Sequence, residues 1–345
     1  MEGEVIELIR PERKEAISEL AVALEISPNL ISRALQMIAD KTAYNVWSIP
    51  KKSGGERQIQ TANWPLNEIQ SKIAVKIYPY SLSEINHAFV TGRSHRTAVL
   101  PHVRANAFFS FDIKDAFPST SRRQVILKLR LISAQLGFKD RVAELMADLV
   151  CYSPTGKSED GFLPQGYSSS PYIFNLVLRD IDRILADFAK KRGYQITRYV
   201  DNFLISTTEK AIPKEDRRLV IKLVENLGGF RIPPEKTHYL EVEGKGVHFE
   251  FLGLVIEGPR DGERRMGVAD EKLGECRWII LGAMEQKDFS ERTFRGIKGK
   301  INYIKSIYKS QGKPLPAEIV DVFAQYQMMK EVADAQKRKQ SFFTS

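Results

Sequence analysis

Two acids, Asp112 and Asp201, stand where short apolar stretches end or turn. Asp112 closes the run AFFSFD at 107–112, which reads as a buried strand. Asp201 lies in Tyr199-Val200-Asp201-Asn202, inside QITRYVDNFLIS at 195–206, which reads as strand, two-residue turn, strand. Each feature has a plain structural account. Asp-Asn suits a tight hairpin turn because both residues tolerate positive φ, and a buried strand often ends on a carboxylate. The pair says more than its parts. Two such strands side by side would bring both carboxylates to one edge of a sheet, where they can bridge two Mg²⁺ ions about 3.5–4 Å apart. Mg²⁺ is a hard cation that prefers oxygen ligands. One ion would lower the pKa of a primer 3′-hydroxyl, and the other would hold a triphosphate and stabilise the leaving pyrophosphate.

The elements that must position these acids follow from periodicity. Residues 1–46 read as helical, with Ile17, Leu20, Ala21 and Leu24, then Leu30, Ile31, Ala34 and Leu35, at helical spacing. Ser27-Pro28 supplies an N-cap and a first-turn proline. The two runs read as a helical hairpin packing on the next domain, or as a helix-turn-helix that binds DNA. WSIPKKSGGERQIQT reads as a β-hairpin with a basic tip. Helix is expected at about 66–77, over most of 121–150, from Pro171 to about Lys191 and over 213–227. Residues 247–256, VHFEFLGLVI, read as strand, and the last 75 residues as helical and basic. Strands mixed with long helices give an α+β fold.

The 345 residues include 52 Lys+Arg against 43 Asp+Glu, a net charge of +9 that favours a polyanionic partner. With 43% hydrophobic and 28% charged residues the composition is that of a globular protein rather than a disordered one. There is no apolar run of about 18 residues and no basic start with an apolar core, so neither a membrane span nor a signal peptide is expected. Two cysteines, Cys151 and Cys276, cannot build a disulfide framework or a Cys-based zinc site. The expected compartment is the cytoplasm. Residues 292–313 hold seven basic residues, Arg292, Arg295, Lys298, Lys300, Lys305, Lys309 and Lys313, and no acid. Phe294, Ile297, Ile301, Ile304 and Tyr308 form the apolar stripe of the same amphipathic helix, leaving a basic face for phosphates.

FFSFDIKDAFPS, LPQGYSSSPYIFNLVL and RYVDNFLIS occur in this order at spacings that resemble the three central palm motifs of reverse transcriptases. IPKKSGGERQI and HAFVTGRSHRTAVLPHV resemble the family's fingers, PPEKTHYLE and FEFLGLVI its fourth palm motif and primer grip, and RGIKGKINYIKSI the start of its thumb. In layout the chain is similar to the stand-alone retron-type and defence-associated bacterial enzymes, over roughly residues 15–310. The resemblance implies a right-hand polymerase. Its parts would be an N-terminal helical region (1–46), fingers (47–110 with 119–160), palm (107–118 and 161–257), thumb (258–335) and a basic flexible tail (336–345). It implies RNA-directed DNA synthesis on a dedicated structured non-coding RNA, in antiphage defence. Partners would be that RNA, dNTPs, a DNA product or RNA–DNA duplex, and an accessory effector protein or a second copy of the chain, with no membrane.

The resemblance also assigns roles. Asp112 and Asp201 would hold two Mg²⁺ ions (or Mn²⁺), with the Ile113 carbonyl and Asn202 completing the shell. Lys236 would protonate pyrophosphate. Lys51, Lys52, Arg57 and Arg93 would meet the triphosphate, and Gln165-Gly166 the nucleotide and templating base. Phe117 would be the steric gate that rejects a ribose 2′-hydroxyl. Arg292, Arg295, Lys298, Lys300, Lys305 and Lys309 would track the duplex. Two departures stand out. Asn202 replaces the second of the family's usual consecutive acids, and Arg265-Met266-Gly267 stands where retron enzymes generally carry Val-Thr-Gly. Untemplated or protein-primed synthesis by the same site, or a non-catalytic nucleic-acid-binding scaffold, are the alternatives. Phe117→Ala is expected to raise rNTP incorporation, and an unchanged dNTP/rNTP ratio would remove the gate assignment.

Overall fold

The computed structural model of the chain describes residues 11–51, 54–156, 158–244, 246–259 and 262–343. They divide into two compact units. The first takes in the described residues up to Ser94, Phe108–Thr207 and Ile212–Tyr239; the second takes in His95–Ala107, Thr208–Ala211 and Leu240 onward. The expected α+β class holds.

In chain order the first unit holds α1 (Pro11–Leu24), α2 (Pro28–Ala39), β1 (Tyr44–Pro50), β2 (Glu56–Ala62), α3 (Leu66–Ile77), β3 (Ala107–Asp112) and α4 (Arg122–Gln135). There follow α5 (Asp140–Val150), α6 (Ser170–Arg192), β4 (Gln195–Tyr199), β5 (Asn202–Thr207), α7 (Lys214–Gly228) and the start of β6 (Thr237–Glu241), whose last two residues fall in the second unit. Ser27 caps α2 by accepting from the Asn29 N–H at 3.3 Å, with Pro28 in the first turn. Buried Ile17, Leu20 and Leu24 face α1 inward. Arg13 reaches Asp148 at 2.9 Å and Glu15 reaches Lys139 at 2.6 Å, so α1 packs on α5 as a plain helical hairpin would. The β1–β2 pairing runs from Tyr44↔Ala62 to Pro50↔Glu56, and so begins before residue 47. Gly54 and Gly55, at φ +86° and +78°, turn its tip. Ser121 and Gln124 form a capping box that starts α4.

Four strands pair in the order β4-β5-β3-β6. β3 is buried along its length except at Asp112, its last residue. The β4–β5 hairpin pairs Tyr199 with Asn202, so the two turn residues are Val200 and Asp201. The turn expected at Asp-Asn is therefore displaced by one residue: Asn202 opens β5, and Val200 takes the left-handed conformation at φ +58°. The segment 83–93 is stitched to β4. His87 N–H donates to the Arg198 carbonyl at 2.7 Å, and Asn86 makes a parallel bridge with Arg198.

The second unit holds a short helical segment, His95–Val99, then β7 (Gly246–Phe251), β8 (Leu254–Pro259), β9 (Arg265–Val268), α8 (Asp270–Glu285), α9 (Glu291–Lys309) and α10 (Ala317–Phe343). The single strand expected at 247–256 is instead an antiparallel hairpin. Leu252 and Gly253 both have positive φ, +57° and +72°, which is the geometry of a two-residue turn whose twist matches its strands. β9 adds a third strand beside β8, unanticipated because its four residues are too short to show alternation. On α9 the buried residues are Ile297, Ile301, Ile304 and Ile307. Ile307 replaces the expected Tyr308 on that stripe. α10 continues to Phe343, so most of the stretch read as a tail lies within a helix.

Burial, then the Arg93 charge, pushes the His87 imidazole down to about 4 from 6.5. The fold holds the neutral ring, so its contribution is complete above pH 6.5 and is lost as the pH falls toward 4. The drop in thermal midpoint across that window is expected to be smaller in His87→Gln than in wild type. Equal drops would show that His87 does not titrate between those limits.

Candidate active site

The geometry starts with two adjacent strands. β3 delivers Asp112 at its end, and β5 starts immediately after Asp201. The Ile113 N–H donates to the Asp201 carbonyl at 3.2 Å, which ties the two acidic positions together through the backbone. Phe111 and Phe203, one residue inside each strand end, stack at 4.8 Å with planes 9° apart. Because side chains alternate along a strand, that buried stack puts the neighbouring polar residues on the other face.

Burial, followed by the negative charge of Asp112, pushes Asp201 up to about 6, while the charges of Lys236 and Arg57 pull the other way. Lys236 Nζ donates to Asp112 Oδ1 at 2.9 Å, and Asn202 Nδ2 donates to Asp201 Oδ1 at 3.1 Å. Two carboxylates that repel each other, beside an amide oxygen and the buried Ile113, suit a hard divalent cation. Among the described residues no group of three or more His, Cys, Asp or Glu is arranged to hold a metal. The groups at hand that could hold an ion are the carboxylates of Asp112 and Asp201 and the neutral oxygens of the Ile113 carbonyl and Asn202.

The turn that carries Asp201 is strained. A β-branched residue at positive φ is an outlier, and such conformations cost about 1–3 kcal/mol. Arg198, fully buried, lies against this turn. Its Nη1 donates to the Val200 carbonyl at 2.7 Å and to Asn175 Oδ1 at 3.1 Å. Nε and Nη2 grip Asp182 Oδ1 and Oδ2 at 2.7 and 2.6 Å. Sequence reasoning missed both residues. The available signal was a charged arginine inside a hairpin strand that also carries Ile196 and Tyr199; if buried, it demands an acid.

Among the nucleotide candidates, Lys51 Nζ donates to Asp115 Oδ1 at 3.0 Å, a bond that holds the Asp115 carboxyl below its usual range. Lys52 lies outside the described residues. Arg57 is exposed on β2 and near enough to Asp201 to influence it. The Phe117 ring packs on buried Phe174 at 5.0 Å. Gln165 is half-buried and its carbonyl accepts from the Gln60 N–H at 2.8 Å. Gly166 has φ +118°, and a Cβ there would collide with the Gln60 carbonyl oxygen. The close approach that Gly166 permits in this structure is thus to β2. Arg93 lies against the 83–86 turn. Its Nη1 donates to the carbonyls of Ser83 (2.7 Å), Glu84 (3.0 Å) and Asn86, so this nitrogen ties down the 83–86 turn. In the second unit Arg292, Arg295, Lys298, Lys300, Lys305 and Lys309 are all exposed on α9. Gly296 and Gly299 on the same helix face open space.

A family model described as reverse transcriptase (RNA-dependent DNA polymerase) matches residues 49–256. The chain is 27% identical over 284 residues to the retron Mx65 reverse transcriptase of Myxococcus xanthus, covering 79% of this chain and 63% of that one. It is 27% identical over 303 residues to the retron Mx162 reverse transcriptase of the same organism, covering 81% and 61%. The chain thus spans about three fifths of the length of these two relatives. A structure of telomerase from Candida Tropicalis in complex with a TWJ fragment of telomeric RNA aligns at TM-score 0.48 and 13% identity, over 85% of this chain and 55% of that one.

Gly166→Ala is expected to cost about 2–4 kcal/mol, from positive-φ strain and the collision with β2. Urea unfolding measures it, and a loss under about 0.5 kcal/mol, the range of an inert surface change, would mean that β2 and the 161–171 loop are not in register.

Proposed function

We propose, for a chain that belongs to the reverse transcriptase (RNA-dependent DNA polymerase) family, that it adds dNTPs to a primer 3′ end on an RNA template. The observation that carries this reading is the joining of Asp112 and Asp201 at adjacent strand ends, through the bond from the Ile113 N–H to the Asp201 carbonyl. The family's right-hand architecture supplies the frame, with the fingers, palm and thumb limits proposed from the sequence. A dedicated structured non-coding RNA as template is what the family resemblance suggests. Antiphage defence is the setting that the family resemblance suggests.

Asp112, Asp201, the Ile113 carbonyl and Asn202 would hold divalent cations. Such ions, when bound, acidify the primer hydroxyl and neutralise charge on the triphosphate. The remaining work falls to the chain's own groups. Lys236, already beside Asp112, would hold a proton where the pyrophosphate oxygen develops charge. Lys51 and Arg57 would bind the triphosphate, with Gln165 orienting the base. Phe117, backed by Phe174, would exclude a 2′-hydroxyl. The exposed cations of α9 would neutralise duplex phosphates, each adding about 0.7–0.9 to the salt slope of binding.

The amide at position 202, whose Nδ2 is committed to Asp201, favours a second reading: a nucleic-acid-binding scaffold without turnover. Primer extension on an RNA template, with Mg²⁺ or Mn²⁺ and with any RNA that co-purifies, separates the two. Wild type is expected to incorporate dNTPs, and Asp112→Asn or Asp201→Asn to reduce the rate about a thousandfold. No incorporation by wild type under these conditions would favour the scaffold.

A further inference from the structure

The turn bearing Asp201 is held from below by a buried ionic network that the functional reading leaves without a role. Arg198 and Asp182 are both fully buried, and their side chains form a two-point fork. Ser83 Oγ donates to Asp182 Oδ2 at 2.6 Å, and Asn175 accepts from Arg198 while donating to the Ala88 carbonyl at 3.1 Å. The Arg198 N–H donates to the Ile85 carbonyl at 2.6 Å. Backbone and side chain of Arg198 are therefore both fixed before its last donor reaches the Val200 carbonyl. That carbonyl belongs to the peptide bond linking Val200 to Asp201. A buried ion pair is weak evidence for stability, because desolvation offsets its attraction. What this one supplies is direction: a planar, bidentate guanidinium points a donor along one line, as a lysine ammonium does not.

We propose that Arg198, oriented by Asp182, is a positioning residue that clamps Val200 in its left-handed conformation and thereby aims the Asp201 carboxylate at the metal site. The proposal rests on the reading of Asp201 as a metal ligand, and it makes Arg198 an outer partner of the ligand set rather than a catalytic residue. Val200 is the counterpart of the clamp, since its branched side chain resists the conformation that Arg198 imposes.

The test uses the full chain with no nucleotide. One variant is the double replacement Arg198→Met with Asp182→Leu, which removes both charges together and strands neither; its thermal midpoint is expected near wild type. The other is Arg198→Lys, which keeps the charge and loses the fork, and which carries the same readouts should the double variant not fold. Deuterium exchange follows the amides of residues 199–204 and of Ile113, whose acceptor is the Asp201 carbonyl. Binding of Mn²⁺ alone is followed by electron paramagnetic resonance. Exchange is expected to quicken at these amides and not in α7, and the Mn²⁺ dissociation constant to rise about 10–100-fold, as for loss of an outer-shell partner. Adding Val200→Gly, which adopts positive φ without cost, is expected to recover part of the Mn²⁺ affinity. Unchanged exchange at these amides would overturn the clamp, and faster exchange with unchanged Mn²⁺ affinity would overturn its link to the metal site. If exchange quickens but wild type binds no Mn²⁺ that Asp112→Asn removes, the clamp stands and the metal-site reading falls.

Discussion

Like charges do not gather unaided, and the site depends on a backbone that makes them do so. Asp112 and Asp201 come from distant parts of the chain, and burial, followed by the charge of Asp112, makes Asp201 hold its proton more tightly than an isolated carboxyl. The opposing constraint is the pairing of β5 with β3, fastened at the acidic end by the bond from the Ile113 N–H to the Asp201 carbonyl. Behind that end, Phe111 stacks on Phe203, and the Arg198 guanidinium lies 5.9 Å from the same Phe203 ring. The apolar packing that makes the strands stable and the polar clamp that shapes the turn thus meet on one side chain.

This arrangement separates what must be rigid from what must be accessible. Asp112 keeps about a third of its side chain open, while Arg198 and Asp182 keep none. Lysines already sit beside acids at this site, Lys236 on Asp112 and Lys51 on Asp115.

The strand ending at Asp112 was legible because AFFSFD has only one place to put its acid, and the N-cap at Ser27-Pro28 because its chemistry is local. The Asp201 turn was legible only to within a residue. Local preference favours Asp-Asn as the turn, whereas the strand register leaves Val200 and Asp201 as the residues that turn. That register, and the donor from Arg198 that fits it, are tertiary facts. The strand read at 247–256 hid a hairpin because Leu252 gave no sign that it would adopt positive φ beside Gly253. For Arg93, sequence alone does not show that a cation after a glycine places its Nη1 against three carbonyls. Gly166 was expected beside the nucleotide and templating base, and sequence alone does not show that β2 comes close to it.

The two lysine–carboxylate pairs bear on how an anionic ligand would enter. A phosphate arriving at Lys51 or Lys236 would not meet a bare cation; it would displace Asp115 or Asp112 from it. Capture becomes a swap of one anion for another. The freed carboxylate would then be open to whatever counter-cation the phosphate carries with it, so that the two arrivals would assist each other.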